Sequence, residues 1–218
     1  MGDVFDLNDR RLYLCVPQRD DMATFLPNVL RGGVDIVQLR EKNRPLDEQL
    51  RAARIMLPIC QDFGVPFIIN DSPALTLEVG ADGVHVGQDD ISVARCRELL
   101  GDEAIVGLST HSDREFTDAL PQAATYFSAG PIVPTPTKPG RSGTGLDYAL
   151  TCQSRSDRPV FITGGVGPDN IADLVLAGLR HFVIVRALTE ASDPYGVAVA
   201  LRRALDTAMS AVPVEPAQ

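Results

Sequence analysis

The sequence predicts a single (β/α)8 barrel, on three observations. Short β-branched runs alternate eight times with longer amphipathic stretches. A length of 218 residues suits the compact end of eight such units. The first apolar run is followed by Val16-Pro17-Gln18-Arg19 and not by the glycine-rich turn that would favour a doubly wound open sheet.

The expected strands are Leu12–Cys15, Val34–Leu39, Phe67–Asn70, Gly83–Val86, Ala104–Gly107, Tyr126–Ala129, Val160–Thr163 and Phe182–Val185. The expected helices are Met22–Arg31, Leu46–Asp62, Ala74–Val79, Val93–Leu100, Arg114–Leu120, Leu146–Cys152, Pro168–Leu176 and Pro194–Met209. In the last, Val197, Leu201, Ala204, Leu205 and Ala208 recur at the three-and-four spacing of one helical face. Gly32-Gly33, Gly64, Gly80 and Gly83 punctuate the early joints. One barrel domain is expected over residues 1–209. The stretch 210–218, with two prolines and no apolar period, reads as a frayed tail.

Composition narrows the partners. There are 20 basic residues against 29 acidic, a formal charge of −9, and no basic stripe, so nucleic acid is not an expected ligand. No apolar run approaches the roughly 18 residues that span a bilayer, and the first twenty residues hold no uninterrupted apolar segment. A cytoplasmic protein that avoids membranes is expected. Cys15, Cys60, Cys96 and Cys152 are widely spaced and read as buried thiols in a reducing compartment. Barrels of this size commonly self-associate, but no apolar patch in the sequence marks a face for it.

Function in such a barrel gathers at the C-terminal ends of the strands. Strand two runs into Gln38-Leu39-Arg40-Glu41-Lys42, where alternation puts Gln38, Arg40 and Lys42 on one side. A Gln and an Arg that continue an apolar run are costly unless they line a polar cavity. Strand three ends in Asn70-Asp71 and strand four in His85-Val86-Gly87-Gln88-Asp89-Asp90, bringing Asp71 and one of Asp89 or Asp90 to one rim. Two carboxylates near amide oxygens suit Mg2+, with helix capping as the plainer alternative for either. His85, as a lone strand histidine, is expected to be packed or hydrogen-bonded. Ser109 and Thr110 follow strand five. After strand six comes a segment with Pro131, Pro134, Pro136 and Pro139, a length of loop that usually serves as a lid or binding loop. In it Thr135, Thr137 and Lys138 form an anion clamp. Gly164-Gly165 after strand seven and Val185-Arg186 after strand eight stand where barrels bind phosphate. Arg40, Lys42, Lys138, Arg141 and Arg186 crowd the mouth of an acidic chain, which points to an anionic small ligand. Two anion sites and a Mg2+ site describe an enzyme that handles a pyrophosphate and a monophosphate.

Taken together, Gln38–Lys42, Asn70-Asp71, His85 through Asp90, Gly107 through His111, Gly130 through Lys138 and Gly164-Gly165 resemble, in order, the motifs of the thiamine phosphate synthase family. The resemblance runs from strand two to strand eight. It implies a Mg2+-dependent transferase that condenses 4-amino-5-hydroxymethyl-2-methylpyrimidine diphosphate with 4-methyl-5-(2-phosphoethyl)thiazole, releasing pyrophosphate by a dissociative route. It also implies that Gln38, Arg40, Lys42, Asn70, Ser109 and Lys138 hold the pyrimidine diphosphate, with Arg40, Lys42 and Lys138 easing its departure. By the same likeness Asp71 and Asp90 carry Mg2+, and Thr135, Thr137, Gly165, Val185 and Arg186 surround the thiazole phosphate. One position departs: the family often has a small hydroxyl residue where Arg186 stands, and an arginine there could grip the phosphate or leave it to the backbone. The rivals are a thiazole tautomerase and a non-catalytic phosphate-binding barrel. The first would not require Lys42, Asn70, Asp71 and Asp90 together.

Overall fold

Eight parallel strands close into a barrel in chain order: β1 (Leu12–Val16), β2 (Ile36–Leu39), β3 (Phe67–Asn70), β4 (Gly83–Val86), β5 (Ile105–Thr110), β6 (Tyr126–Ala129), β7 (Val160–Ile162) and β8 (His181–Ile184), with β8 pairing back on β1. The structure is a computed structural model and describes residues 5–42, 44–134 and 143–212. The helices are α1 (Met22–Arg31), α2 (Leu46–Asp62), α3 (Pro73–Val79), α4 (Val93–Leu100), α5 (Asp113–Ala119), α6 (Gly145–Ser154), α7 (Ile171–Leu176), α8 (Arg186–Thr189) and α9 (Pro194–Ala211). None of the described helices is long and apolar enough to cross a membrane.

The two-residue strand period divides the core in two. Leu12, Leu14, Val37, Phe67, Ile69, Val84, Val106, Phe127, Ile162 and Ile184 point outward and pack under the helices in one continuous apolar layer. Their neighbours point inward. Tyr13, Ile36, Ile68, Ile105, Tyr126 and Phe161, with Leu7, make a separate apolar plug inside the barrel. Above the plug the inward positions turn polar: Gln38, Asn70, His85, Ser109 and Ser128 are all buried. The seam between plug and polar layer is the floor of the site.

The expected barrel is the one observed, and the strand centres fall where the apolar runs put them. Four differences matter. β5 continues to Thr110, three residues past the expected end, because Ser109 and Thr110 pair with Ser128 and Ala129 of β6. Their hydroxyls therefore belong to the sheet; Ser112 caps α5, as Ser72 and Ser92 cap α3 and α4. α7 begins at Ile171 and not at Pro168, the intervening residues forming a turn. α8 was not expected: four residues are too short for a periodic pattern to register. α9 runs to Ala211, two residues beyond the expected Met209.

At the opposite end of the barrel, Asp35 locks the chain entry. Its carboxylate accepts from the backbone N–H of Arg11 at 2.9 Å and of Leu12 at 2.8 Å, and pairs with Arg202 of α9. One side chain thereby joins the start of β1, the approach to β2 and the final helix.

Candidate active site

The strand ends open on one cavity of about 1090 Å3, to which seven of the eight strands contribute, with Thr163 just past β7. Gln38, Arg40, Lys42, Asn70, Asp71, Asp90, Ser109, Gly165, Val185 and Arg186 all line it. The expected residues Thr135, Thr137, Lys138 and Arg141 lie outside the described residues. The described residues on either side of the segment that carries them meet beside the end of β7, where Ile132 N–H donates to Thr163 O at 2.8 Å and Thr144 N–H to Pro131 O at 2.8 Å.

The acidic corner is built by backbone geometry. Asp71 has φ 61, left-handed for a non-glycine residue and a conformation that asparagine and aspartate tolerate best. Its N–H donates to His85 O at 2.8 Å, which ties the end of β3 to β4. Lys42 Nζ lies 2.8 Å from Asp71 Oδ2. Asp90 Oδ2 accepts from Gly87 N–H at 2.8 Å. Burial pushes the Asp71 carboxyl above its ordinary range, Lys42 pulls it down, and the Asp90 carboxylate beside it pushes it up again. The capping alternative fails for both carboxylates, since Ser72 and Ser92 supply the caps. No group of three or more His, Cys, Asp or Glu side chains is placed to hold a metal ion among the described residues. Two neighbouring carboxylates beside an open cavity are the sparse donor set that suits Mg2+, which keeps waters and takes the remaining ligands from substrate phosphates.

The opposite wall is made of backbone. Gly164 and Gly165 have φ 90 and 76. A Cβ on Gly164 would strike Pro131 and one on Gly165 the Val133 side chain, so only glycine brings the main chain this close. Asn170 braces the turn, its Oδ1 accepting from Gly167 N–H at 3.0 Å and its Nδ2 donating to Gly165 O at 2.8 Å. α8 starts at the same rim, completing the arrangement of two loops and a short extra helix with which barrels commonly bind phosphate. Arg186, its first residue, is exposed.

Several lining residues were not expected. Asp169, Glu190 and Asp193 also face the cavity, as does Asp89 beside Asp90, so among the described residues its positive charge is confined to the Arg40–Lys42 and Arg186 sides. Tyr13 and Ser128 line the floor, and Tyr126 lies just beneath it. Inward-facing alternation could have flagged all three. His85 is hydrogen-bonded, Nδ1 to Tyr126 at 2.9 Å and Nε2 to Ser109 at 2.8 Å.

A family model described as thiamine monophosphate synthase matches residues 12–188. The chain belongs to the thiamine monophosphate synthase family. A thiamine-phosphate synthase of Acidothermus cellulolyticus is 42% identical over 193 residues, covering 86% of this chain and 91% of the relative. One of Thermobifida fusca is 40% identical over 216 residues, covering 94% and 96%. A solved thiamine phosphate pyrophosphorylase from Pyrococcus furiosus superposes with a TM-score of 0.83 at 24% identity, over 91% of this chain and 96% of the other, which speaks for the fold. The expected transferase of thiamine biosynthesis therefore stands.

Proposed function

We propose that the chain joins 4-amino-5-hydroxymethyl-2-methylpyrimidine diphosphate to 4-methyl-5-(2-phosphoethyl)thiazole, giving thiamine monophosphate and pyrophosphate. The observation that carries the reading is one cavity with two unlike anion-suited walls: Arg40, Lys42 and the Asp71–Asp90 pair on one side, the Gly164–Gly167 turn and α8 on the other. A tautomerase has no use for the first wall.

In this reading Gln38, Asn70 and Ser109 hold the pyrimidine, and Arg40 and Lys42, with Lys138, hold its diphosphate. Asp71 and Asp90 hold Mg2+, which when bound supplies charge neutralisation to the departing pyrophosphate. The bond from the pyrimidine methylene carbon to oxygen breaks and its electron pair leaves with pyrophosphate. The thiazole nitrogen then donates its lone pair to that carbon, forming the C–N bond. No side chain has to move a proton in these two steps; what they need is stabilisation of the charge on departing pyrophosphate, which Arg40 and Lys42 are placed to give. Gly165, Val185 and Arg186, with Thr135 and Thr137, hold the thiazole phosphate. The four buried cysteine thiols accord with a reducing, cytoplasmic setting.

The direct test is pyrophosphate release from the purified protein with both substrates, in Mg2+ and in EDTA. Release that needs both substrates and Mg2+ is the expected result. Thiazole phosphate binding with no release would favour the tautomerase or the binding protein.

A further inference from the structure

A line of side-chain hydrogen bonds crosses the floor of the cavity, and the reaction just described makes no use of its middle members. Gln38 Nε2 donates to Tyr13 Oη at 3.0 Å, and the two tyrosine hydroxyls meet at 2.8 Å. Tyr126 Oη lies 2.9 Å from His85 Nδ1, and His85 Nε2 lies 2.8 Å from Ser109 Oγ. Ser109 Oγ in turn lies 3.1 Å from Ser128 Oγ. The two ends, Gln38 and Ser109, line the cavity; Tyr126 is fully buried.

Packing alone does not call for these groups. Phe161 sits with its ring 5.3 Å from each tyrosine ring and fills its share of the plug with no hydroxyl. Polar groups in a barrel interior are costly unless paired, yet here they are paired end to end. The surrounding backbone makes room for them. A Cβ on Gly107 would overlap the Tyr126 ring and hydroxyl and His85 Nδ1, so the glycine clears the space in which those two side chains meet.

The line also has a direction. An amide N–H has no lone pair, so Tyr13 must accept from Gln38 and its own proton turns to Tyr126. The Tyr126 proton then goes to His85 Nδ1, which leaves the imidazole proton on Nε2, donated to Ser109. Ser109 is left with its own proton available for Ser128 or for a ligand. We propose that Tyr13, Tyr126 and His85 are positioning residues that hold Gln38 and Ser109 in a single donor polarity, so that the floor offers hydrogens to the acceptor nitrogens and oxygens of the aminopyrimidine substrate. The proposal rests on the assignment of Gln38 and Ser109 to that substrate.

Tyr126→Phe keeps the ring and removes the proton relay. It raises KM for the pyrimidine diphosphate about tenfold and leaves KM for the thiazole phosphate within about twofold. In a background with both Gln38→Ala and Ser109→Ala it adds nothing further, because the line no longer reaches the substrate at either end. His85→Gln, which keeps an N–H near the Nε2 position, recovers more of the loss than His85→Leu. Nitrogen-15 NMR of the unmodified protein finds the His85 proton on Nε2. A proton on Nδ1 would overturn the polarity. Equal rises in both KM values with a lowered Tm would make the line merely structural. A raised pyrimidine KM in Ser109→Ala beside an unchanged one in Tyr126→Phe would overturn the network alone. Ser109→Ala and Gln38→Ala both leaving that KM unchanged would overturn the substrate assignment, and this role with it.

Discussion

Two histidines point into the same barrel from strands on opposite sides of it, and their surroundings divide the molecule into its working and its holding ends. His85, on β4, meets hydroxyls on both ring nitrogens at the floor of an open cavity. His181, on β8, donates from Nδ1 to Arg10 O at 2.7 Å, and the Arg11 guanidinium lies 3.1 Å from Nε2. Close by, Asp35 gathers two backbone N–H groups and Arg202. Polar groups at the mouth are left with capacity to spare for a ligand, whereas those at the closed end are spent on one another. Barrels with active-site loops at one rim and stability at the other follow this division generally; here it can be tested residue by residue.

The largest effect belongs to the mouth. Asp71→Asn keeps the left-handed backbone that asparagine also accepts and removes only the charge. Turnover in Mg2+ should fall about 10^3-fold, on the order of 4 kcal/mol of transition-state stabilisation. Tm should stay within about 2 °C, since burial and the Asp90 carboxylate already work against that charge in the folded state. A matching fall in Tm would place Asp71 among the holding residues instead.

The closed end should answer in the opposite way. Asp35→Ala strips two backbone donors of their partner and takes the nearer of two carboxylates from Arg202, and should cost about 3 kcal/mol of stability in urea unfolding. The kcat of the remaining folded enzyme should not change. A fall in kcat at constant folded fraction would break the division between the two ends.

Much of this organisation could be read before any coordinates. The strands could be located because each inward–outward alternation is complete within three to six residues, and Gln38, Arg40 and Lys42 could be grouped because they share one strand and its extension. What could not be read arises from pairs distant in sequence or from backbone conformation. Tyr13 and Tyr126 are 113 residues apart and meet only because barrel closure faces β1 across the interior toward β6. Alternation places each of them inward, but nothing in either residue type pairs the two. Asp71 could be named as a rim carboxylate, but its positive φ carries no signal in the residue type. Asn170 could not be told from a helix cap, although it braces the glycine turn. The acidic residues Glu190 and Asp193 reach the cavity through α8, which was itself too short to foresee.

His181 also gives the closed end a pH dependence of its own. Burial, with the Arg11 and Arg180 charges adding to it, lowers the His181 pKa from 6.5 to about 4, against the opposing bond to Arg10 O. The unfolded chain therefore takes up the proton first. His181's contribution is complete above about pH 6.5 and is lost as pH falls toward 4, by up to about 3 kcal/mol. Urea midpoints measured between pH 4 and 7 should show this slope, and His181→Gln should flatten it. An unchanged slope in that variant would move the acid sensitivity to another group.

The smallest effect sharpens the mouth itself. Arg186 is the most conspicuous cation beside the glycine turn, and by charge alone it would be the residue to remove. It is exposed at the rim, where an ion pair is screened by solvent and worth about 0–1 kcal/mol. The backbone of the Gly164–Gly167 turn and the start of α8 stand at the same rim, held by Asn170 and by the glycine conformations. Fixed N–H groups lose little entropy on meeting a phosphate, while a long exposed arginine must be ordered to do so. Arg186→Ser should then raise KM for the thiazole phosphate by no more than about threefold, and the difference should shrink in high salt. Asn170→Ala, which loosens the turn without removing any charge, should raise it more. The reverse order would mean that the arginine, and not the main chain, grips this phosphate.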